Sequence, residues 1–390
     1  MRIGIYHQHG NAVIGGAEYV VVVMAEALAS EHRVEIVHHK PGLTGAALAR
    51  TYGVDLAGVT FRLVPEDTSA LPWTTPLRRF LHERSRYASV LRSYDLVIAS
   101  VSDIPPFCPA KRGALFVHFP YPDQVTAWPW KRDGFSPREV VRSVCARAER
   151  NARFAGYQVV MVNSAYTRDW TQRLWGLSSH VVYAPAGVEP RVVRKQDMVL
   201  AVGRFTASGT RKHQREMVTA FRELCQDGLS GWELHVIGGV SPAAADHRYL
   251  QDVVAAAGDS PVQVETNIER DRLEDLYHRG RIFWHAAGLE AGDSDPGMVE
   301  HFGLATVEAM SAGCVPVVIG RGGQVEIVEH GVSGFLWQTL AELKEYTLRL
   351  IQDPALLERM SESARARAAH FSRRAFAERV VEALQPLLRP

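Results

Sequence analysis

The sequence predicts an α/β protein made of two doubly wound domains, and three observations predict it. The chain has 390 residues, too many for one ordinary core and suited to two domains of roughly 150 to 200 residues each. Short β-branched runs alternate with longer helical patterns, the signature of parallel sheets joined by crossover helices. The same layout occurs twice, with a polar, proline-containing break at Ala186–Asp197 between the copies. The expected domains are 1–190 and 191–370, followed by a last helical segment over 371–390.

Taken in order, the first copy offers strands at 2–6, 33–39, 61–64, 95–100, 114–119, 157–164 and 180–185. The second offers 198–203, 232–238, 262–265, 281–286 and 315–320. Helical patterns separate them, as at 214–226 and 269–280. Two such domains in tandem are expected to face each other across a cleft. In open α/β sheets ligands bind at the carboxyl ends of strands, so functional residues are expected just after strands.

Composition narrows the class. The hydrophobic share of 46% and charged share of 22% are those of a soluble globular protein and not of a disordered one. A net charge of +1 argues against bulk nucleic-acid binding. Cys108, Cys145, Cys225 and Cys314 lie far apart with no metal-ligand spacing; they read as reduced thiols of a cytoplasmic protein. The apolar run Tyr19–Ala29 is about half a membrane span and carries Glu26. Neither a signal peptide nor a transmembrane helix is expected. Residues 76–92 combine five arginines with apolar residues at helical spacing, and 131–153 is also rich in arginine. Such helices either lie on an anionic membrane surface or present a solvated face.

Four loops carry residues suited to chemistry. Gly15 and Gly16 open a helix after the first strand, where backbone N–H groups can approach a phosphate; a plain flexible turn is the alternative. His118 ends a strand before Pro120 and Pro122, and a histidine there is either a proton carrier or structural. Arg204, Arg211 and Lys212 lie in a glycine-containing loop before a helix; fixed cations there suit a diphosphate leaving group. A solvated basic loop is the other reading. Finally, Glu308 is the only carboxylate between Phe302 and Gly320, in a helix expected to start at Gly303 and stop at Gly313. Apolar residues surround it, and a bare buried carboxylate costs several kcal/mol. An ion pair with an arginine would satisfy it. So would a hydroxyl-rich ligand such as a ribose, the favoured reading, with Glu300 facing the same cleft.

These residues resemble a known family. The stretch "EHFGLATVE" is similar to the E-x7-E motif of retaining glycosyltransferases of family 4, which have the GT-B fold. The continuation "AMSAGCVPVVIGRGGQVEIVEHGVSGFL", the Gly-Gly loop, "VNSAYT" (162–167) and "VGRF" match as well. The resemblance covers nearly the whole chain. It implies transfer of a sugar from a nucleotide-diphosphate donor, UDP- or GDP-linked by family frequency, to an acceptor hydroxyl with retained anomeric configuration. The acceptor would be a glycan, a lipid-linked glycan or a small molecule. No metal and no cofactor are implied.

Carried residue by residue, the resemblance implies that Glu308 holds the ribose and Glu300 contacts the donor sugar. Arg204 and Lys212 neutralise the diphosphate, and Gly16, beside Gly15, approaches it from the other domain. The N–H groups of Phe302, Gly303 and Leu304 cap diphosphate and sugar, and His118 lies near sugar and acceptor. The inserted "TASGT" before the basic pair leaves Arg211 as well as Lys212 open, with Lys212 preferred because "KHQ" leads into the helix. "DSD" at Asp293–Asp295 resembles the metal site of a different transferase fold and is read as coincidence. "HFPYP" resembles a stretch of mannosyltransferases that extend lipid-linked oligosaccharides. A cytoplasmic protein, with peripheral contact at the inner membrane face left open, is expected. The competing readings are a sugar-nucleotide 2-epimerase-like isomerase and a non-catalytic nucleotide-sugar-binding protein.

Overall fold

The computed structural model describes residues 1–7, 15–64, 76–121, 137–292 and 295–389, without the side chains of 76, 77, 79 and 137–143. The described chain forms two units, Met1–Val182 with Ala377–Pro390, and Tyr183–Phe376.

The first unit runs β1 (Arg2–His7), α1 (Gly16–Ala29), β2 (Arg33–His38), α2 (Gly45–Tyr52), β3 (Val59–Leu63), α3 (Pro76–Leu91), β4 (Leu96–Val101), β5 (Arg112–Val117), α4 (Pro137–Phe154), β6 (Val159–Val162), α5 (Ala165–Trp175) and β7 (His180–Val181). Its seven strands are all parallel, in the order β3-β2-β1-β4-β5-β6-β7. Parallel strands covered on both faces need continuous apolar runs, and every residue of β4, Leu-Val-Ile-Ala-Ser-Val, is buried. The apolar run of α1 lies in the same core: Tyr19 to Ala25 and Leu28 are buried.

The second unit runs β8 (Met198–Val202), α6 (Gln214–Gln226), β9 (Glu233–Gly238), α7 (Ala244–Ala257), β10 (Val262–Thr266), α8 (Arg270–Arg279), β11 (Ile282–His285), α9 (Leu304–Ser311), β12 (Val315–Ile319), α10 (Gln324–Ile327), β13 (Phe335–Trp337), α11 (Leu340–Gln352) and α12 (Pro354–Ala368). A last helix, α13, covers Arg373–Leu388. The six strands are parallel in the order β10-β9-β8-β11-β12-β13. Fully buried Trp284, Trp337, Phe221 and Phe335 fill its core.

Helix ends follow ordinary capping chemistry. Ser164 caps α5 by accepting from the Thr167 N–H, which is why the run expected to continue as strand to 164 stops at Val162. Thr339 and Glu342 form a reciprocal capping box on α11. β7 is two residues long, not the six expected, because only His180 and Val181 pair with β6. β13 was not expected at all.

Among the described residues no helix is long and apolar enough to cross a membrane. The arginine-rich stretches form α3 and α4, with 131–136 outside the described residues. Arg153 does not join a solvated or lipid-facing stripe. It is buried, bonded to Glu149 at 2.7 Å and to the Pro105 carbonyl at 3.2 Å. The four cysteines are free thiols.

Candidate functional site

The strand order of the second sheet reverses between β8 and β11. That reversal is where open α/β sheets bind ligands, in the loops leaving the strand carboxyl ends. The loop after β8 carries Arg204, Arg211 and Lys212, and the loop after β11 carries Glu300 and leads into α9.

Lys212 and Glu300 meet there. Lys212 Nζ donates to Glu300 Oε2 at 2.5 Å. The same oxygen lies 3.1 Å from Nε2 of His285, the last residue of β11. Gly203 makes room for the lysine stem: a Cβ there would lie 2.8 Å from Lys212 Cγ. Burial alone would raise the Glu300 carboxyl, but the Lys212 charge and the His285 hydrogen bond outweigh it and hold it well below its ordinary value. Burial pushes His285 below the ordinary histidine range, against the pull of Glu300. The imidazole is therefore neutral and donates from Nε2, leaving its buried Nδ1 without a hydrogen bond among the described residues.

Glu300 also anchors the next loop, since its carbonyl accepts from the Gly323 N–H at 2.8 Å. The chain then turns through Gly303, whose φ of 123° is closed to side-chain-bearing residues. A Cβ on Gly303 would also lie 2.8 Å from Gln324 Nε2. The N–H groups of Phe302, Gly303 and Leu304 make no hydrogen bond among the described residues. They form the donor end of α9. The Phe302 ring is buried 5.6 Å from Phe371 and 6.0 Å from Tyr183, so this residue offers a ligand its backbone.

Glu308 is buried in α9, as expected, but it is the fifth of eight helical residues. It does not lie early in the helix, so the amino-terminal dipole does little for it. Its partner is Arg270 at the start of α8, with Nη2 2.8 Å from Glu308 Oε1. Burial works against the Arg270 charge, and Glu308 more than restores it. Arg270 Nε also bonds Glu274 at 2.9 Å. The arginine partner allowed for in the sequence is thus present. It takes Oε1 of Glu308, and the buried Tyr277 hydroxyl lies beside the same carboxylate, which raises the Tyr277 pKa further above what burial gives.

The other cations differ. Arg204 is exposed and has no ion-pair partner among the described residues. Arg211 Nη1 lies 3.3 Å from Glu290 Oε2, and its guanidinium sits 5.6 Å from the Tyr249 ring. Of the two open candidates, Lys212 is the one that meets Glu300. Among the described residues, His213, Glu216 and Glu290 form the one group with metal-ligand spacing. Asp293 and Ser294 of "DSD" lie outside the described residues.

In the first unit, Gly15 caps α1 and Gly16 begins it. The Gly15 N–H is already bound, donating to Glu18 Oε2 at 2.9 Å. An anion seeking that N–H has to displace a carboxylate. His118 follows β5, with Nε2 2.8 Å from Ser100 Oγ. Its carbonyl accepts from Asn163 Nδ2 at 3.0 Å, which fixes the backbone at that point.

Three neighbours went unnoticed in the sequence. His285 carried the same signal as His118, a polar residue closing an apolar strand. Arg270 carried none beyond its charge. Gln324 is fully buried with neither amide atom hydrogen-bonded among the described residues, yet in sequence it is one polar residue after Gly-Gly.

Comparison with known proteins adds to this geometry. The family model "Glycosyl transferases group 1" matches residues 189–367, and "Glycosyltransferase Family 4" matches 14–192. The chain is 25% identical over 252 residues to a Dictyostelium discoideum GDP-Man:Man(3)GlcNAc(2)-PP-Dol alpha-1,2-mannosyltransferase, covering 59% of this chain and 48% of that protein. It is 34% identical over 91 residues to human alpha-1,3/1,6-mannosyltransferase ALG2, covering 23% and 22%. The chain thus spans half or less of the curated relatives it matches. In structure it resembles a sucrose-phosphate synthase from Thermosynechococcus elongatus, with TM-score 0.69, 18% identity and coverage of 99% and 98%. It also resembles Anabaena Alr3699/HepE in complex with UDP and glucose, with TM-score 0.67, 18% identity and coverage of 98% and 99%. At such identities these structures speak for the fold, two Rossmann-like parallel-sheet domains of GT-B type.

Proposed function

The chain belongs to the GT-B glycosyltransferases, and from that premise we propose that it moves a sugar from UDP or GDP to an acceptor hydroxyl with retained anomeric configuration. The acceptor is a glycan, a lipid-linked glycan or a small molecule. The mannosyltransferase relatives carry GDP-Man and a PP-Dol acceptor in their names, and a structural neighbour holds UDP and glucose; both support this class. The protein works in the cytoplasm, at the inner membrane face where the acceptor is a lipid. It needs no cofactor and no metal at the reacting atoms.

The observation that carries this reading is the Lys212–Glu300 pair at the strand reversal, beside the unbonded N–H groups that open α9. As the bond from sugar to diphosphate breaks, negative charge grows on the leaving group. Lys212, Arg204 and the N–H groups of Phe302, Gly303 and Leu304 meet that charge without reorganising solvent. Lys212 passes from Glu300 to the diphosphate, and Glu300 is released to accept from a sugar hydroxyl. His285 keeps Glu300 ionised and oriented throughout. Glu308, fixed by Arg270, accepts a ribose hydroxyl. His118, with Gly15 and Gly16, serves the first domain's share of the reaction, the histidine handling the acceptor proton.

The test is product formation. Labelled UDP- and GDP-sugars are offered with glycan, lipid-linked and small-molecule acceptors, and the new linkage is read by NMR. One donor should give an acceptor-dependent product with the donor's anomeric configuration. An inverted product, or an epimerised donor formed without acceptor, sinks the proposal.

A further inference from the structure

We propose that His213, Glu216 and Glu290 form a binding site for a divalent transition-metal ion of the Zn²⁺ class, separate from the reacting atoms. Nothing in the transferase chemistry above uses these three residues. One ligand atom from each lies within 4.8 Å of the other two. At Zn–N and Zn–O distances near 2.1 Å, tetrahedral ligands lie about 3.4 Å apart. His213 Nδ1 is already 3.7 Å from Glu216 Oε2. Glu290 is exposed, and its flexible side chain can close the remaining gap.

The second observation is the state of the buried groups. His213 is 3% exposed, and its Nδ1 makes no hydrogen bond among the described residues. Nor does Glu216 Oε2, the buried oxygen that faces it. An unsatisfied buried carboxylate oxygen aimed at an unsatisfied imidazole nitrogen is costly without an atom between them. A cation supplies that atom. One nitrogen and two carboxylate oxygens suit Zn²⁺ or its transition-metal neighbours, while Mg²⁺ prefers an all-oxygen octahedron.

Arg211 competes at the site, because its guanidinium holds Glu290 Oε2 at 3.3 Å. The ion would take the other Glu290 oxygen or displace the arginine. The consequence is positional. His213 adjoins Lys212, and Glu290 belongs to the loop that runs on to Glu300. An ion joining His213 to Glu290 ties the loop after β8 to the loop after β11.

The test uses the full chain, stripped with a chelator, with no nucleotide or sugar present, so failure of the transferase reading does not affect it. Zn²⁺ alone should bind one per chain and raise Tm, and Mg²⁺ at equal concentration should not. His213→Asn, which tolerates the left-handed backbone at φ 53°, should weaken Zn²⁺ binding at least tenfold. Glu216→Gln should do the same. Glu290→Gln, at an exposed position that leaves folding intact, should also weaken it. Arg211→Gln should strengthen it. Absence of Zn²⁺ binding, or equal binding by wild type and the Glu290→Gln and His213→Asn variants, overturns the proposal and leaves only adventitious binding at surface histidines.

Discussion

Lys212 Nζ lies 2.5 Å from Glu300 Oε2, although 88 residues separate the two in sequence. Both side chains are mostly buried, at 17% and 21% exposure, so neither charge is comfortable alone. Lys212→Ala should destabilise the fold by about 2 kcal/mol, since it strands a buried carboxylate. Glu300→Ala should cost a similar amount. The double variant should cost less than the sum, with a coupling of about 1 to 3 kcal/mol in urea melts. Additive losses would mean that the contact carries no energy.

Glu308 is tied to Arg270 as well as assigned to the ribose, and the two roles separate by variant. Glu308→Ala should weaken nucleotide binding at least tenfold and lower stability by about 2 kcal/mol. Arg270→Gln should lower stability similarly, with a smaller loss of affinity, because Glu308 can still accept from a hydroxyl. Calorimetric titration of both variants checks this. Equal affinity in Glu308→Ala and wild type would remove Glu308 from the donor site.

His118→Ala should leave the donor dissociation constant unchanged and lower kcat by about 10² to 10⁴-fold, the range for loss of a proton carrier. Ser100→Ala, which removes only the hydroxyl 2.8 Å from Nε2, should give a smaller loss and shift the pH profile of kcat. Full activity in His118→Ala with the true acceptor would show that the histidine is structural.

Stability should fall on mild acidification. Burial lowers His285, and lowers His301 to about 4, against about 6.5 for an unfolded histidine. The unfolded chain therefore binds more protons than the folded one below pH 6.5, and stability decreases as pH falls from there toward 4. Glu300 joins in only as pH enters the ordinary carboxylate range: its depressed carboxyl stabilises the fold fully above that range and loses the contribution progressively between there and its low folded value. Melting curves at pH 7.5, 6.5, 5.5 and 5.0 should show Tm declining below 6.5. The decline should be shallower in a His285→Gln, His301→Gln variant, with the remainder carried by His38 and His213, which burial also lowers; an unchanged decline would place its origin elsewhere.

What the sequence made legible was whatever repeats locally. The run Arg33–His38 alternates with helices that bury one face, and α6 lies at 214–226 as its apolar spacing required. β13 was hidden because three residues, Phe-Leu-Trp, carry no period. Their strand character comes from pairing with β12, Val317 against Phe335. The E-x7-E spacing marked Glu300 and Glu308, yet no local pattern says which cation each one meets. Arg270 and Lys212 reach them from other elements, and that choice is made by packing.

The most direct measurement is a thermal-shift series with UDP, GDP, ADP, TDP and CDP on wild type and Lys212→Ala. A ligand at 100 times its dissociation constant adds about 2.7 kcal/mol, or roughly 5 to 11 °C in a domain of this size. UDP or GDP should raise the wild-type Tm by that amount, and Lys212→Ala should lose most of the shift. No response to any nucleotide, or an undiminished response in Lys212→Ala, would contradict a donor site built on Lys212, Glu300 and Glu308.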